Sequence, residues 1–442
     1  MNNRLINRRE FGYGTVGALG LAASAGSGYA QKPAAANDRI RMGFIGVGGM
    51  GSFDLSDMQR TGQIDVVAIA DPYEPHLDAA LEKTDRRAKG FEDFRHVLDN
   101  KEIDAVCIAT PDHWHAIPMI MACDAGKDVY VEKPISHTVF EGRRMVEAAA
   151  RHGRVVQVGT QQRSGKHFQK AVELVQSGKL GKIMRADTWI NWNQPVEGLL
   201  NPPDMDPPPW LDWDLWLGPA PVHAYNRNRC IGNFRWFWDY ANGMITDWGV
   251  HLIDVVHWAM GVDAPRTVSF AGGKWVLTDN TETPDTFEIL YEYPQSPVSG
   301  KEFIVTFSSR FVNPHHDSGL GNGIEFIGTE GTLRLDRNGF TLFPEPDRSG
   351  GEPVPALGPI QNEGSAQHYP HVVNFLECVR SREKTRSDIA TMHRSTSAPL
   401  LGAIACKVGR KLTWDAQQER FIGDEEANRH LTKEYRKPWN VA

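Results

Sequence analysis

The residues Gly46-Val47-Gly48-Gly49-Met50-Gly51 match G-x-G-x-x-G, a spacing suited to the pyrophosphate of a dinucleotide. Gly46 permits a tight turn, Gly48 lets the backbone approach a phosphate, and Gly51 lets a helix and a strand pack closely. Gly49 and Met50 lie at the start of the helix, whose positive end attracts the phosphates. Asp71 follows further on, where a carboxylate accepts hydrogen bonds from the hydroxyls of the adenosine ribose. The same charge repels a 2′-phosphate, and Pro72-Tyr73-Glu74 supplies no arginine to receive one, so NAD is expected in preference to NADP. A glycine motif alone is weak evidence, the alternative being another nucleotide bound on a similar turn.

The elements that must position these residues are legible around them. Residues 40–45 form a short apolar strand, a helix runs to about residue 60, and residues 64–70 form a second strand that delivers Asp71. Further strands are expected at 103–110, 128–131 and 155–160, with helices between them. In an open parallel sheet, ligands bind at the carboxyl ends of the strands. The loop Thr110-Pro111-Asp112-His113-Trp114-His115-Ala116 and the turn Glu132-Lys133-Pro134 therefore face the cofactor cleft, with Thr110, Pro111, His115, Glu132 and Lys133 as candidate contacts.

At 442 residues the chain has room for two or three domains at roughly 100–200 residues each. A formal net charge of −7, with no long basic run, argues against nucleic acid or an anionic membrane surface as a partner, and no apolar stretch is long enough for a mature membrane span. Residues 1–30 have the order of an export signal: Arg4, Arg8 and Arg9, an apolar Gly/Ala-rich run, then Gly28-Tyr29-Ala30 as a cleavage site. The Arg8-Arg9 pair and the mild hydrophobicity favour the twin-arginine route and a periplasmic or other extracytoplasmic destination. Residues 31–38 read as a linker, 39–160 as an α/β Rossmann domain, and 161–442 as a second α/β domain. Cys107, Cys123, Cys230, Cys378 and Cys406 are scattered and odd in number, which disfavours a disulfide framework or a structural zinc site.

From these motifs onward the chain resembles the Gfo/Idh/MocA family, which includes glucose–fructose oxidoreductase and inositol dehydrogenase. The resemblance rests on the glycine motif, Asp71, Thr110-Pro111 with His115-Ala116, Glu132-Lys133-Pro134, Asp247-Trp248-Gly249-Val250-His251 as D-x-x-x-H, and Gly328-Thr329-Glu330-Gly331-Thr332. It implies a second domain with a large, mostly antiparallel open sheet, a sugar or polyol substrate between the domains, and Lys133, Asp247 and His251 as the catalytic group. An exposed sheet face in such folds often pairs with a second copy, so a homo-oligomer is expected.

Oxidising an alcohol requires a base for the hydroxyl proton and a positive neighbour for the developing alkoxide. His251 is suited to take the proton near neutral pH, and Asp247, four residues earlier, would share its face of a helix and orient it or contact the substrate. Lys133 is suited to hydrogen-bond the reacting oxygen. Either Lys133 or His251 could be the base. His113-x-His115 and the spacing of His251, Asp254 and His257 suggest a metal, yet no glutamate or cysteine completes a standard site, so no metal is expected.

Nine of the thirteen tryptophans lie between Trp189 and Trp258; most suit packing, with Trp236 and Trp238 the candidates for stacking on a sugar. Asn226, Arg227, Arg229, Arg235 and Asp239, with Arg163 at the domain boundary, are candidate polar contacts. The second half should contain a helix at 161–181, strands at 184–190, 267–271, 286–292, 302–311, 323–328 and 332–335, and helices at 368–380 and 388–412.

The expected activity is oxidation of a sugar, glycoside or cyclitol hydroxyl by a tightly bound nicotinamide cofactor. Free NAD is expected to be scarce outside the cytosol, and the twin-arginine route carries folded proteins, so the cofactor would be bound before export and recycled in place by a second substrate. The alternative is a glycosidase that oxidises, eliminates, hydrates and re-reduces with no net redox change; Glu132-Lys133-Pro134 fits the dehydrogenase-like members better. A non-catalytic sugar- or cofactor-binding protein is the remaining reading.

Overall fold

The structure is a computed structural model that describes residues 38–345 and 360–441. The expected export signal, all but the last residue of the expected linker and most of the Pro/Gly-rich stretch 343–358 lie outside the described residues.

The first half is a six-stranded parallel sheet built from β1 (Ile40–Ile45), β2 (Ile64–Ala70), β3 (Lys89–Phe91), β4 (Ala105–Ile108), β5 (Asp128–Val131) and β6 (Val156–Val158). Its strand order is β3-β2-β1-β4-β5-β6, the doubly wound dinucleotide-binding topology. The strands β4, β5 and β6 are buried throughout, as sandwiching between helices demands. Helices α1 (Gly49–Arg60), α2 (Glu74–Glu82), α3 (Arg95–Asp99), α4 (Ala116–Asp124) and α5 (Val139–His152) form the crossovers. In α5 the Thr138 side chain accepts from the Glu141 amide while Glu141 accepts from the Thr138 amide, and Gly153 ends the helix at φ 58°. Strand β3 is absent from the sequence reading because three residues, one of them glycine, show no periodicity.

The second half is a ten-stranded sheet. Its strands are β7 (Ile183–Asn191), β8 (Thr267–Gly273), β9 (Thr286–Tyr293), β10 (Phe303–Arg310), β11 (Asn322–Gly328), β12 (Gly331–Asp336), β13 (Gly339–Pro344), β14 (Ile360–Glu363), β15 (Leu412–Asp415) and β16 (Arg420–Phe421). The order is β14-β13-β12-β11-β7-β10-β9-β8-β15-β16, antiparallel except where β7 runs parallel to β10. Alternating burial along β9 and β12 gives the sheet one core face. Against that face lie α6 (Lys166–Gln176), α7 (Trp213–Leu217), α8 (Met244–Asp247) and α9 (Gly249–Met260), whose side chains share one core with Ile289, Phe307, Leu333 and Leu342.

The late helices α10 (His368–Ser381) and α11 (Ile389–Val408) do not stay with the second sheet, and α12 (Glu425–Arg429) precedes a tail that also returns. Val372, Phe375 and Leu376 complete the core on one side of the parallel sheet; Ile389, Met392 and Val441 complete the other. Val158 donates its amide to the Ser387 carbonyl, extending the edge at β6. Among the described residues no helix is long and apolar enough to cross a membrane. All five cysteines are free, four of them buried.

Candidate active site at the carboxyl edge of the parallel sheet

The glycine turn has the shape its motif requires. Gly46 has φ +77°, and a β-carbon there would sit 2.8 Å from the Ala109 and Thr110 backbone. A β-carbon at Gly51 would overlap the Gly46 carbonyl oxygen, so helix and strand approach closely only because both residues are glycine. The first turn of α1, with Gly49, Met50 and Gly51, directs its amides outward from the strand end. Asp71 is buried at the end of β2, where its Oδ2 accepts from Val47 N at 2.9 Å and its Oδ1 accepts from Tyr73 N at 2.9 Å. The carboxylate is thereby fixed to the turn that would cradle a pyrophosphate. The geometry fits a dinucleotide.

Two further turns close on this edge. The His115 ring nitrogens lie 2.8 Å from the Thr110 carbonyl oxygen and 2.6 Å from that of Pro134. His115 therefore ties the loop after β4 to the Glu132-Lys133-Pro134 turn. Burial pushes its pKa down to about 4, against the pull of the two carbonyls. The Thr110 hydroxyl is buried without a partner. Glu132 is buried in a space that exists because Gly159 lacks a side chain, and its Oε1 has no partner. Burial, reinforced by the nearby Asp54 charge, pushes its carboxyl well above the usual carboxylate range.

Lys133 reaches across to the second domain. Its Nζ donates to Asp247 Oδ1 at 2.8 Å and to the Asp247 carbonyl at 3.0 Å, with both side chains about one-seventh exposed. Arg235 Nε lies 3.6 Å from the other Asp247 oxygen. Against burial, which alone would raise it, these two cations hold the Asp247 carboxyl well below the usual carboxylate range. Asp247 ends α8, and Trp248, at φ −103° and ψ −29°, links it to α9, where His251 sits. The expected single helix carrying both residues is thus two short ones. Asp247 gives its oxygens to Lys133 and Arg235, and His251 Nδ1 is buried without a partner. Burial, then the Arg337 and Lys133 charges, hold the imidazole well below its ordinary pKa, with Asp247 opposing.

Of the other candidates, Arg235 joins this group, whereas Arg163 is committed elsewhere. Its guanidinium grips Asp254 through two nitrogens at 2.7–3.1 Å and lies over Trp258. Ser395 also donates to Asp254, at 2.7 Å, so this is an interior tie rather than a free substrate contact. Trp236 is 5% exposed and enclosed by Trp192 and Phe311, which leaves no open face for a sugar. Trp238 is half-buried, with the Lys407 ammonium 4.7 Å from its ring centre. The ring that adjoins His251 is Trp248, centroids 6.0 Å apart. Asn226, Arg229 and Asp239 are engaged with Asp204, Glu282 and His223 respectively. His257 bonds the Tyr293 hydroxyl at 2.7 Å, and His113 lies 3.2 Å from the Trp216 carbonyl. Among the described residues no group of three or more His, Cys, Asp or Glu side chains is arranged to hold a metal ion.

Two residues escape the sequence reading. Asp112, in the 3-10 turn after β4, is a buried carboxyl pushed up to about 7 by burial and by the Asp247 charge. Its place at a strand end was a usable signal. Arg337 comes from the turn between β12 and β13, and nothing local marked it.

Residues 40–160 match the oxidoreductase family's NAD-binding Rossmann-fold domain, and residues 164–285 and 361–441 match its C-terminal alpha/beta domain. Inositol 2-dehydrogenase of Salmonella typhimurium is 30% identical over 145 residues, which are 32% of this chain and 43% of that protein. The match thus spans less than half the length of that relative. The uncharacterized oxidoreductase YrbE of Bacillus subtilis is 30% identical over 268 residues, 58% of this chain and 70% of its own. In fold, the chain is similar to the WlbA dehydrogenase of Bordetella pertussis in complex with NADH and UDP-GlcNAcA (TM-score 0.62, 20% identity, 85% of this chain and 99% of that one). With the doubly wound domain, the open second sheet and both family domains in order, the chain belongs to the Gfo/Idh/MocA family of oxidoreductases.

Proposed function

We propose that this protein oxidises a hydroxyl of a sugar, glycoside or cyclitol, using NAD in preference to NADP. The observation that carries the reading is the Lys133–Asp247 contact between domains, with a neutral, unpartnered His251 four residues beyond Asp247. A bound nicotinamide supplies the hydride acceptor. Gly46, Gly48, Gly49, Met50, Gly51, Asp71, Thr110 and Pro111 would hold the dinucleotide, with Glu132 and Lys133 at its reactive end. The Asp71 carboxylate supports NAD, since it repels a 2′-phosphate.

Lys133, held by Asp247, presents its positive charge to the substrate oxygen and favours its anionic form. His251, its Nδ1 without a partner, would accept the hydroxyl proton as a neutral imidazole, its pKa held down by burial and by the Arg337 and Lys133 charges. Asp247, ionised throughout, favours the imidazolium once it forms. In this reading His251 is the base and Lys133 has the electrostatic role. The inositol 2-dehydrogenase relative supports a polyol substrate. The twin-arginine pattern in residues 1–30 supports export with the cofactor already bound, and a second substrate then returns it to its starting state.

The test is an absorbance spectrum of the purified protein before and after adding sugars, cyclitols and aryl glycosides. A reduced-nicotinamide band that persists until an acceptor is added is the expected result. Glycoside cleavage with no lasting band would replace this reading with the glycosidase cycle. Failure to bind any dinucleotide would remove the basis of both.

A further inference from the structure

Of the cations that act on Asp247 and His251, Lys133 and Arg235 each have Asp247 as an ion-pair partner. Arg337 is the exception. Among the described residues no carboxylate lies within ion-pair distance of its guanidinium, and its Nε is buried with no acceptor. The side chain is nonetheless held in place. Its backbone carbonyl accepts from Gln367 Nε2 at 3.2 Å, and the guanidinium carbon lies 4.5 Å from the centre of the Trp248 ring. That ring adjoins His251, and Arg337 is the charged group that most disfavours protonation of His251. It also feels Asp247 and Glu132, so it faces the space into which the candidate catalytic groups converge.

A guanidinium half-buried on an aromatic ring, with no carboxylate partner among the described residues, is suited to receive a planar anion. Arginine's parallel N–H donors match a carboxylate in two-point geometry. The pyrophosphate of a dinucleotide is already provided for at the glycine turn, so the anion must come from the other reactant. We propose that the substrate is a polyhydroxy acid, an aldonic or uronic acid or a glycoside of one, whose carboxylate is received by Arg337 while a hydroxyl of the same molecule lies at His251 and Lys133. This rests on the oxidoreductase reading above and narrows its substrate class.

The experiment uses the full-length purified protein with its dinucleotide, and the variants Arg337→Gln and Arg337→Lys. Matched probes are D-glucose, D-gluconate, D-glucuronate, myo-inositol and glucose 6-phosphate. Two readouts are taken: binding, from tryptophan fluorescence and thermal shift, and appearance of reduced nicotinamide. The expected result is that an acid binds at least ~10-fold more tightly than its neutral counterpart. Arg337→Gln should weaken that acid ~10- to 100-fold, the loss of a charge-assisted pair, and leave the neutral probes and the dinucleotide affinity unchanged. Arg337→Lys should retain part of the preference.

Equal or better binding of neutral probes overturns the proposal, as does preference for the phosphate ester. So does an Arg337→Gln variant whose defect lies in dinucleotide binding. If that variant does not fold, the acid-to-neutral ratio of the unaltered protein and of Arg337→Lys still decides. If no probe reduces the cofactor, the parent reading fails, and the acid preference is then judged by the binding data.

Discussion

Removing the Lys133 ammonium while keeping its bulk, as Lys133→Met, perturbs three things at once. The variant loses both hydrogen bonds from Nζ to Asp247, at 2.8 and 3.0 Å. At an effective dielectric near 20, the gross attraction across 2.8 Å is about 6 kcal/mol, most of it offset by desolvation. Arg235 stays 3.6 Å from Asp247, so the carboxylate keeps one cation and the net loss of stability should be about 1–3 kcal/mol. The chemical step loses a preorganised donor, about 10²–10³ in kcat, or about 2.7–4 kcal/mol. His251 loses a repelling charge and keeps the attraction of Asp247, so its proton affinity rises. The assay is kcat and kcat/KM against pH, with dinucleotide affinity measured alongside. The activity lost on acidification should begin at a higher pH in the variant than in the unaltered protein. A loss of less than tenfold in kcat, with superimposable pH profiles, would refute the assignment of Lys133 and His251.

The remaining expectations concern neighbouring groups. Asp112, raised to about 7 in the fold from 3.8, gives stability that is full below pH 4 and lost as pH rises through 7, up to about 4 kcal/mol; Asp112→Asn should flatten that dependence in thermal denaturation and remove an inflection near pH 7 from the rate profile. His368 on α10 lies 2.8 Å from Asp54 and 2.7 Å from Asp57 on α1, and although burial opposes it, these carboxylates raise its pKa to about 9. The resulting stability, up to about 3 kcal/mol, is present below pH 6.5 and lost as pH rises through 9; His368→Gln should lower the melting temperature at pH 7 and little at pH 10. Gly51→Ala should abolish dinucleotide binding, measured by calorimetry, because its β-carbon overlaps the Gly46 carbonyl.

Local chemistry made the dinucleotide half readable. A strand buried on both faces is a run of apolar residues, a tight turn against a phosphate needs glycine, and a strand end can carry a carboxylate, so β1, the glycine turn, β2 and Asp71 were all marked within one short stretch. Lys133, Asp247 and His251 were found through the family resemblance, and the Lys133–Asp247 contact could not be read from spacing. The short edge strands β3, β14 and β16 left no mark, since their place is set by a neighbour's free edge rather than by their own pattern.

What the sequence by itself determined was the set of residues able to bind a dinucleotide and the apolar patterns of most strands and helices. Tertiary structure decided how those residues are used. It assigned Arg163 to Asp254, enclosed Trp236 and placed Trp248 beside His251. It brought Arg337 from a distant hairpin to the same cleft and sent α10 and the start of α11 back into the cores of the first half. The physical reason is that a side chain's partner and its exposure are properties of the packed interior. A buried guanidinium and a solvated one are spelled by the same letter, and only the surrounding charges distinguish them.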